Sequence, residues 1–257
     1  MGIYATEITS DSEPSDSPIH QRLLKAYVIA RDFVNGDLLE VGCGEGRGIA
    51  LLIDRVSSFT AIDKIDEALE GLRQQYPKAT FISGNIPPFS GLHDNSFDTV
   101  VSFQVIEHIR EDATFLREIH RVLKPGGKAI LTTPNRPMSL SRNPWHIREY
   151  TGKELLDLAS GIFEKATMRG ISGNATVMAY HEENRRSVQR ITRWDILGLQ
   201  YRLPAFMLRI PYEVLNRMNR RKLKRGNETL VSGITHEDYL ITETTEGALD
   251  LLLEVQK

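Results

Sequence analysis

The chain has 257 residues, a formal net charge of −2 at pH 7 and an isoelectric point near 6.4. Its single cysteine, Cys43, excludes an intrachain disulfide, and no apolar run reaches the roughly 18 residues that a membrane-spanning helix needs. The N-terminus lacks the basic and apolar regions of a secretory signal, so we expect a cytoplasmic protein. The length suits one α/β domain that carries an insertion.

Residues 1–18 are predicted to form a flexible tail, because residues 6–18 are rich in Ser, Asp, Glu and Pro. A single domain over residues 19–257 follows. The apolar residues between His20 and Phe33 have helical spacing, which predicts a helix that packs at the sheet edge or covers a ligand.

Short apolar segments then alternate with helical segments, which is typical of a parallel sheet with helices on both faces. We predict strands near residues 37–41, 59–63, 79–83, 97–103 and 127–133, and two further strands near 164–170 and 248–255. Between the last two strands the sequence is longer than a simple connection requires.

The segment LLEVGCGEGRG, residues 38–48, predicts a strand that runs directly into a glycine loop. Glycines there let the backbone turn tightly and approach a ligand closely. The N–H groups at the start of the following helix are free to bind that ligand. A dinucleotide fingerprint would need glycine at position 47, where the chain has Arg47. A purely structural turn is the alternative.

Polar residues also follow the next strands. Asp63 ends the second strand, where an acid can accept hydrogen bonds from ribose hydroxyls or, alternatively, cap the following helix. Gly84-Asn85-Ile86 follow the third strand. The segments NSFDTVVSFQVIEHI, residues 95–109, and RVLKPGGKAILTTPN, residues 121–135, complete the pattern.

Together these segments resemble the class I S-adenosylmethionine-dependent methyltransferases, in particular the type 11 methyltransferase domain and the ubiquinone-pathway group. The resemblance covers roughly residues 20–175 and returns at the C-terminus. It implies a Rossmann-like α/β fold with seven strands, in which the last strand lies antiparallel beside the sixth. The sequence itself adds a helical insertion before that last strand.

The resemblance also implies S-adenosyl-L-methionine as the cofactor. It places the methionine part in the glycine loop, the ribose at Asp63, the adenine at Asn85 and Ile86, and the sulfonium near Gln104. The residues expected to bind the cofactor are Glu40, Gly42, Gly44, Gly46, Asp63, Lys64, Asn85, Ile86, Phe103 and Gln104.

Gln104, Glu107 and His108 are candidates for catalysis, since their spacing would place them on one face if they began a helix. A similar E-x-x-E-H cluster supplies metal ligands in small-RNA 2′-O-methyltransferases and in some ubiquinone-pathway O-methyltransferases. Here Gln104 replaces the first acid and is a poor ligand for a divalent ion. We therefore predict no metal site, and we retain Glu107 and His108 as candidate bases.

NPWHIREYTGKEL, residues 143–155, resembles an N-P-[FWY]-H-x-[RK]-E-[FY] segment that several methyltransferases place before a capped helix. It predicts His146 as a catalytic base and a substrate wall of Trp145, Arg148 and Tyr150. The alternative is that His146 and Arg148 anchor the loop by hydrogen bonds to Glu149 or Glu154.

The predicted insertion, about residues 181–235, is strongly basic. Residues 181–229 contain 12 Lys and Arg against 5 Asp and Glu, so the segment carries +7 and the rest of the chain carries −9. Three interpretations stay open: a helical lid, a basic amphipathic surface for an anionic membrane or a lipid-linked substrate, and a nucleic-acid surface. We favour the first two.

The combined pattern predicts a methyltransferase that methylates oxygen on a small-molecule, glycan or lipid-linked substrate. The protein would be cytoplasmic, with peripheral contact to the inner face of the membrane through the insertion. The alternative is a cofactor-binding module without catalysis, which uses the insertion as a membrane or partner adaptor.

Overall fold

A computed structural model describes residues 17–193, 195, 199–226 and 233–257. Most of the predicted N-terminal tail lies outside these residues, and the first helix begins inside the predicted tail, at Ser17. The helices are α1 (Ser17–Ala30), α2 (Ile49–Leu52), α3 (Asp66–Gln75), α4 (Asp112–Val122), α5 (Gly152–Ser160), α6 (Ala175–Thr192), α7 (Leu199–Arg202) and α8 (Ala205–Gly226). The strands are β1 (Asp37–Val41), β2 (Ser58–Asp63), β3 (Thr80–Ser83), β4 (Phe97–Phe103), β5 (Leu123–Pro134), β6 (Lys165–Gly173), β7 (Tyr239–Thr242) and β8 (Asp250–Gln256).

The strands form one sheet in the order β3-β2-β1-β4-β5-β8-β6-β7. The pairs among β1 to β5 are parallel, whereas β8 runs antiparallel to both β5 and β6. The strand order reverses between β1 and β4, so the loops that follow these strands border a crevice where open α/β sheets bind ligands. The Rossmann-like α/β prediction, including the antiparallel last strand beside the sixth, is confirmed.

The sheet has one strand more than the seven that the resemblance implied. β7 pairs antiparallel with β6 at the edge, with Gly173 opposite Tyr239 and Gly170 opposite Thr242. In this short edge strand Tyr239 is buried, whereas Leu240 and Ile241 are both exposed. Four residues were too few to give a clear strand pattern in the sequence.

Helices cover both faces of the sheet, as predicted. On one face, α1, α2, α3 and α6 contribute buried residues such as Tyr27, Ile49, Leu69 and Val177 to one apolar core. On the other face, α4 and α5 contribute to a second core that includes Phe115 and several aliphatic residues of the central strands. The continuous apolar character of the central strands follows from this burial on both faces.

Local signals in the sequence explain several element ends. Thr151 caps α5 in a capping box with Glu154, as predicted. β5 begins earlier than predicted, because Leu123 already pairs with Phe97 before the Lys124–Gly127 turn shifts the register. The helix predicted after the glycine loop is shorter than expected, since α2 passes into a 3₁₀ turn at Ile53–Arg55.

The basic insertion contains α6, α7 and α8. α6 packs against β6 and against α8, so the insertion rests on the domain. Side chains from the basic cluster between Arg217 and Arg225 lie outside the described residues. Within the described part of the chain, no helix is both long enough and apolar enough to cross a membrane.

Candidate active site

The glycine loop joins β1 to α2 at the carboxyl end of the sheet. Gly42, Gly44 and Gly46 have φ angles of +81°, +52° and +77°, a conformation that favours glycine. A side chain at Gly42 would clash with Val105, whereas one at Gly44 would meet no atom within 4 Å. The loop therefore packs closely on its inner side and leaves its Gly44 side open to a ligand.

Asp63, at the end of β2, connects the loop to the next helix. Its carboxylate accepts hydrogen bonds from the Gly44 N–H, at 2.8 Å, and from the Ile65 N–H, at 3.0 Å. Asp63 therefore both stabilises the glycine loop and satisfies an N–H group before α3. Asp63 is not the N-cap of α3, since that position is Ile65 and no side chain caps the helix there, so the capping alternative for Asp63 is wrong.

Glu40 lies beneath the glycine loop and is buried. Its Oε1 accepts a hydrogen bond from the Tyr27 hydroxyl at 2.6 Å, while its Oε2 has no hydrogen-bond partner among the described residues. Burial, together with the nearby charge of Asp63, raises the pKa of Glu40 to about 7, although the hydrogen bond from Tyr27 acts in the opposite direction. A buried acceptor without a donor suits a ligand that brings its own polar hydrogens.

The other predicted cofactor residues surround the same edge of the sheet. Gly84 N–H donates to the Asp63 carbonyl at 2.9 Å, so the loops after β2 and β3 lie side by side. Asn85 and Lys64 are exposed there and Ile86 is half-buried. Phe103, at the end of β4, is buried and packs edge-on against Tyr27 with ring centroids 4.8 Å apart.

Gln104 differs from its predicted setting. Its φ is +57°, and the helical turn begins only at Ile106, so Gln104 does not share a helical face with Glu107 and His108. Its side-chain amide lies 3.4 Å from Thr132 Oγ1 and 3.3 Å from Asp250 Oδ1. Gln104 does not begin a helix as expected, because the chain turns sharply where it leaves β4.

A cavity of about 280 Å³ lies next to Gln104, beyond the carboxyl ends of β4 and β5. α1 contributes Arg22, the loop after β5 contributes Asn143 and His146, and α6 and α8 form a further wall. The lining includes Pro18, Ile19, Leu23, Glu107, His108, Pro134, Met138, Ser139, Leu140, Ser141, Glu149, Val177, Tyr180, His181, Asn184, Val188, Tyr212, Asn216, Tyr239 and Leu249. The insertion thus takes part in enclosing the cavity, as a lid would.

Glu107, His108 and His146 meet on one side of this cavity. One ligand atom from each lies within 4.8 Å of the others, and the two imidazole rings are 5.0 Å apart between centroids. The sequence proposed Glu107 and His108 as one candidate and His146 as another. The structure combines the two candidates into one cluster.

Both nitrogens of His146 have partners within its own loop. Nδ1 lies 2.6 Å from Glu149 Oε1, and Nε2 lies 2.9 Å from the Asn143 amide nitrogen. Because a carboxylate only accepts, Nδ1 carries the proton and Nε2 accepts from Asn143. Glu149 therefore orients a neutral imidazole whose Nε2 is the basic atom, and the anchoring role foreseen for His146 is present as well.

Glu107 is buried directly behind the two histidines. Its Oε2 accepts a hydrogen bond from the Thr133 hydroxyl at 2.9 Å. Burial raises its pKa to about 7, although His146 and the Thr133 hydrogen bond act in the opposite direction. Its backbone carbonyl accepts from the N–H groups of Ile147 and Arg148, so it also holds the loop in place.

Comparison with known proteins identifies similar sequences and structures. Residues 39–131 match the family described as a methyltransferase domain. A probable S-adenosylmethionine-dependent methyltransferase of Mycolicibacterium smegmatis is 41% identical over 127 residues, which cover 48% of this chain and 49% of that protein. Residues 39–131 therefore resemble the methyltransferase domain that these proteins share.

Two further proteins are similar to this chain at lower sequence identity. A ubiquinone biosynthesis O-methyltransferase of Xanthomonas oryzae is 29% identical over 133 residues, covering 49% of this chain and 56% of that one. A crystal structure of a methyltransferase from Thermotoga maritima aligns with 93% of this chain and 91% of its own, with a TM-score of 0.58 and 15% identity, and shows the shared fold. The chain spans about half the length of the curated relatives it matches.

The structure places the three residues that were expected to form a substrate wall away from the cavity. Tyr150 is fully buried and its hydroxyl donates to Asp112 at 2.9 Å. Arg148 is exposed, pairs with Asp112 at 2.8 Å and lies over the Tyr150 ring. The Arg209 guanidinium stacks on Trp145, 4.1 Å from its ring centroid. The cavity lining, as far as the structure describes it, includes none of these three expected residues.

Arg22 and Asp250 are site residues that sequence reasoning missed. Arg22 Nε donates to Asp250 Oδ2 at 2.6 Å, and Arg22 also donates to the Leu249 carbonyl at 2.7 Å. The two residues are 228 positions apart, and each stands in an otherwise ordinary amphipathic or apolar segment. No local pattern in the sequence could have paired them.

Cys43 lies in the glycine loop but is buried, and burial together with the charge of Glu40 raises the pKa of its thiol. A raised pKa keeps the thiol protonated, which does not suit a nucleophile.

Proposed function

We propose that this protein transfers the methyl group of S-adenosylmethionine to a hydroxyl oxygen of a small-molecule, glycan or lipid-linked substrate. The observation that carries the proposal is the position of the Glu107, His108 and His146 cluster. These residues line the cavity together with Gln104, which the resemblance places near the sulfonium. The glycine loop and Asp63 lie outside the described lining of the cavity, at the carboxyl ends of the neighbouring strands β1 and β2.

The residues present fit the cofactor. Gly44 leaves open space beside the loop, and Glu40 offers a buried acceptor. Each carboxylate oxygen of Asp63 accepts one backbone N–H and keeps a further lone pair for a ribose hydroxyl. The resemblance assigns the methionine part to the loop, the ribose to Asp63, and the adenine to Asn85 and Ile86. When bound, the cofactor supplies a methyl group on a positively charged sulfur. The positive charge makes the methyl carbon susceptible to in-line displacement.

The chain itself must position the nucleophile and accept its proton. Alignment of reacting groups is worth roughly 7–11 kcal/mol in intramolecular models, and the enclosed cavity serves that purpose. A hydroxyl has a high pKa and needs a base, which typically adds about 10²–10⁴ in rate.

His146 is the proposed base. Glu149 holds its Nδ1–H, so Nε2 keeps the lone pair that can take the proton, and a substrate hydroxyl would replace Asn143 as its partner. Glu107, with a pKa near 7, is the second candidate. Methylation at oxygen also agrees with the activity in the name of the Xanthomonas relative.

Calorimetry with S-adenosylhomocysteine tests cofactor binding. We expect wild type to bind, and Asp63→Asn to bind at least about tenfold more weakly, because the ribose hydroxyls lose a charged acceptor. Asp66→Asn is the matched control, since Asp66 is exposed on α3 three residues away. Thermal unfolding of each variant separates loss of binding from loss of the loop. Absence of binding to wild type at millimolar concentration would refute the proposal.

A cofactor-binding module without catalysis is the competing function. It would give the same calorimetry and no methyl transfer. The cluster of candidate bases beside the cavity favours the enzyme, because a pure binding module has no need of it.

A further inference from the structure

The outer side of α8 exposes large apolar residues. Phe206, Ile210 and Met218 have 69%, 76% and 63% of their surface exposed. Seven of the ten large hydrophobic residues that are exposed in the described part of the chain belong to α7 or α8, with Tyr201, Met207, Val214 and Leu215 completing the seven. Single exposed apolar residues are common, but a concentration of this kind marks a contact surface.

Four of these residues form one stripe along α8. Phe206, Ile210 and Val214 follow one another at spacing four, and Met218 continues the series. Tyr212 and Asn216 lie on the other side of α8 and line the cavity. One side of α8 therefore closes the cavity while the opposite side presents apolar side chains to solvent.

Positive charge accompanies the stripe. Arg190 and Arg202 are exposed on the neighbouring helices, and the sequence adds six Lys and Arg between residues 217 and 225. The whole segment carries +7 in a chain whose remainder carries −9. A partner for this surface must accept apolar side chains and compensate positive charge together.

We propose that the outer side of α8 docks on an anionic lipid bilayer. A segment that combines an exposed apolar stripe with many Lys and Arg has the composition with which amphipathic helices lie in the membrane interface. A second copy of the chain would cover the stripe but would bring two +7 segments together. A nucleic acid would match the charge but would leave aliphatic side chains such as Ile210 without an apolar environment.

Docking has a consequence for the cavity. The same helix would contact lipid through Phe206 and Ile210 and the cavity through Tyr212 and Asn216. A substrate anchored in the bilayer could then present its polar group to the cavity without leaving the membrane. Binding to lipid does not depend on methyl transfer, so the two proposals can fail separately.

Co-sedimentation with vesicles of phosphatidylserine and phosphatidylcholine tests docking. We expect binding at about 0.1 M salt that falls at least about tenfold at about 0.5 M, where the Debye length shrinks from about 10 Å to under 5 Å. Vesicles of phosphatidylcholine alone should bind at least about tenfold more weakly. Failure of the protein to sediment with anionic vesicles at low salt would overturn the proposal.

Variants separate the apolar and the electrostatic contributions. Ile210→Gln with Val214→Gln should reduce vesicle binding at least about tenfold, because apolar burial contributes directly to the affinity. Leu240→Gln with Ile241→Gln is the matched control, since both residues are exposed on β7. Replacing Arg220, Arg221, Lys222 and Lys224 by Gln should also abolish binding.

Other partners would give different results. If the stripe variant bound vesicles like wild type while the charge variant did not, the surface would be a general polyanion site and the proposal would be wrong. If the stripe variant converted a wild-type dimer to a monomer, the stripe would be a subunit interface, which also overturns it. Affinity for S-adenosylhomocysteine, measured on each variant, should stay unchanged.

Discussion

Arg22 and Asp250 form an ion pair that connects the first helix to the last strand at the edge of the cavity. Arg22 Nε lies 2.6 Å from Asp250 Oδ2, and the aspartate side chain is almost completely buried. The attraction of Asp250 raises the pKa of Arg22, although burial opposes it. Since Gln104 also contacts Asp250, this pair positions α1 and the end of β4 against each other.

Removal of the arginine should destabilise the protein. In Arg22→Ala, Asp250 stays buried without its partner, and breaking such a pair costs about 3 kcal/mol. Urea unfolding at pH 7 measures the change. Lys153→Ala is the control, because Lys153 pairs with Asp157 on the exposed side of α5 and such pairs contribute about 0.5 kcal/mol or less. Equal effects for the two variants would contradict the structural role of Arg22.

Glu40 should make stability depend on pH. Its pKa in the folded protein is about 7, compared with 4.5 ordinarily. Between these values the folded protein holds a proton that the unfolded chain has lost, so the contribution of Glu40 to stability falls as pH rises through this window and is constant above it.

Glu40→Gln should remove this slope and stabilise the protein at pH 8, by at most on the order of 3 kcal/mol. Urea unfolding at pH 5 and pH 8 measures the effect. Glu45→Gln is the control, since Glu45 is exposed in the same glycine loop. Because Glu107 has a similar pKa, the stability of the Glu40→Gln protein should still fall with pH, but less steeply than that of wild type. A Glu40→Gln protein with the wild-type slope would show that Glu40 is ionised in the folded state.

His146→Ala should lower kcat about 10²-fold or more and leave the affinity for S-adenosylhomocysteine unchanged, because the base acts only on the substrate proton. His120→Ala is the control, since His120 lies on α4 and packs against Phe163. If Glu107→Gln or His108→Ala gave the large loss of kcat and His146→Ala did not, the base would lie on the turn after β4.

Removal of metal ions with a chelator should leave the methyl-transfer activity unchanged. Glu107, His108 and His146 are close enough to bind an ion, but His146 uses both nitrogens within its loop and Gln104 contacts Thr132 and Asp250 instead. Activity assays after treatment with EDTA, and after return of Mg²⁺ or Zn²⁺, examine this point. Activity that is lost with EDTA and restored by metal would contradict it.

Features that depend on local sequence were predictable. The strand at Asp37–Val41, the glycine loop after it and the Thr151 cap of α5 all follow from neighbouring residues. The antiparallel last strand was implied by the resemblance and is present. The edge strand Tyr239–Thr242 was not predicted, because its four residues become a strand only by pairing with β6.

The candidate site was predicted in part, since its residues come from distant segments. The sequence identified Glu107, His108 and His146 separately, but only the folded loop brings the two imidazoles together. Tyr150 suggested a substrate contact by its proximity to His146, yet the chain buries it against Asp112. Arg22 gave no signal, because its partner lies at the other end of the chain.

Transfer of a labelled methyl group tests the central claim most directly. Purified protein is incubated with cell extract and methyl-labelled S-adenosylmethionine, and the extract is then separated into lipid, glycan, small-molecule, nucleic-acid and protein fractions. We predict label in the lipid, glycan or small-molecule fraction, with loss of most of it in His146→Ala. Cofactor binding by calorimetry, with no label in any fraction, would contradict the enzyme and support a binding module.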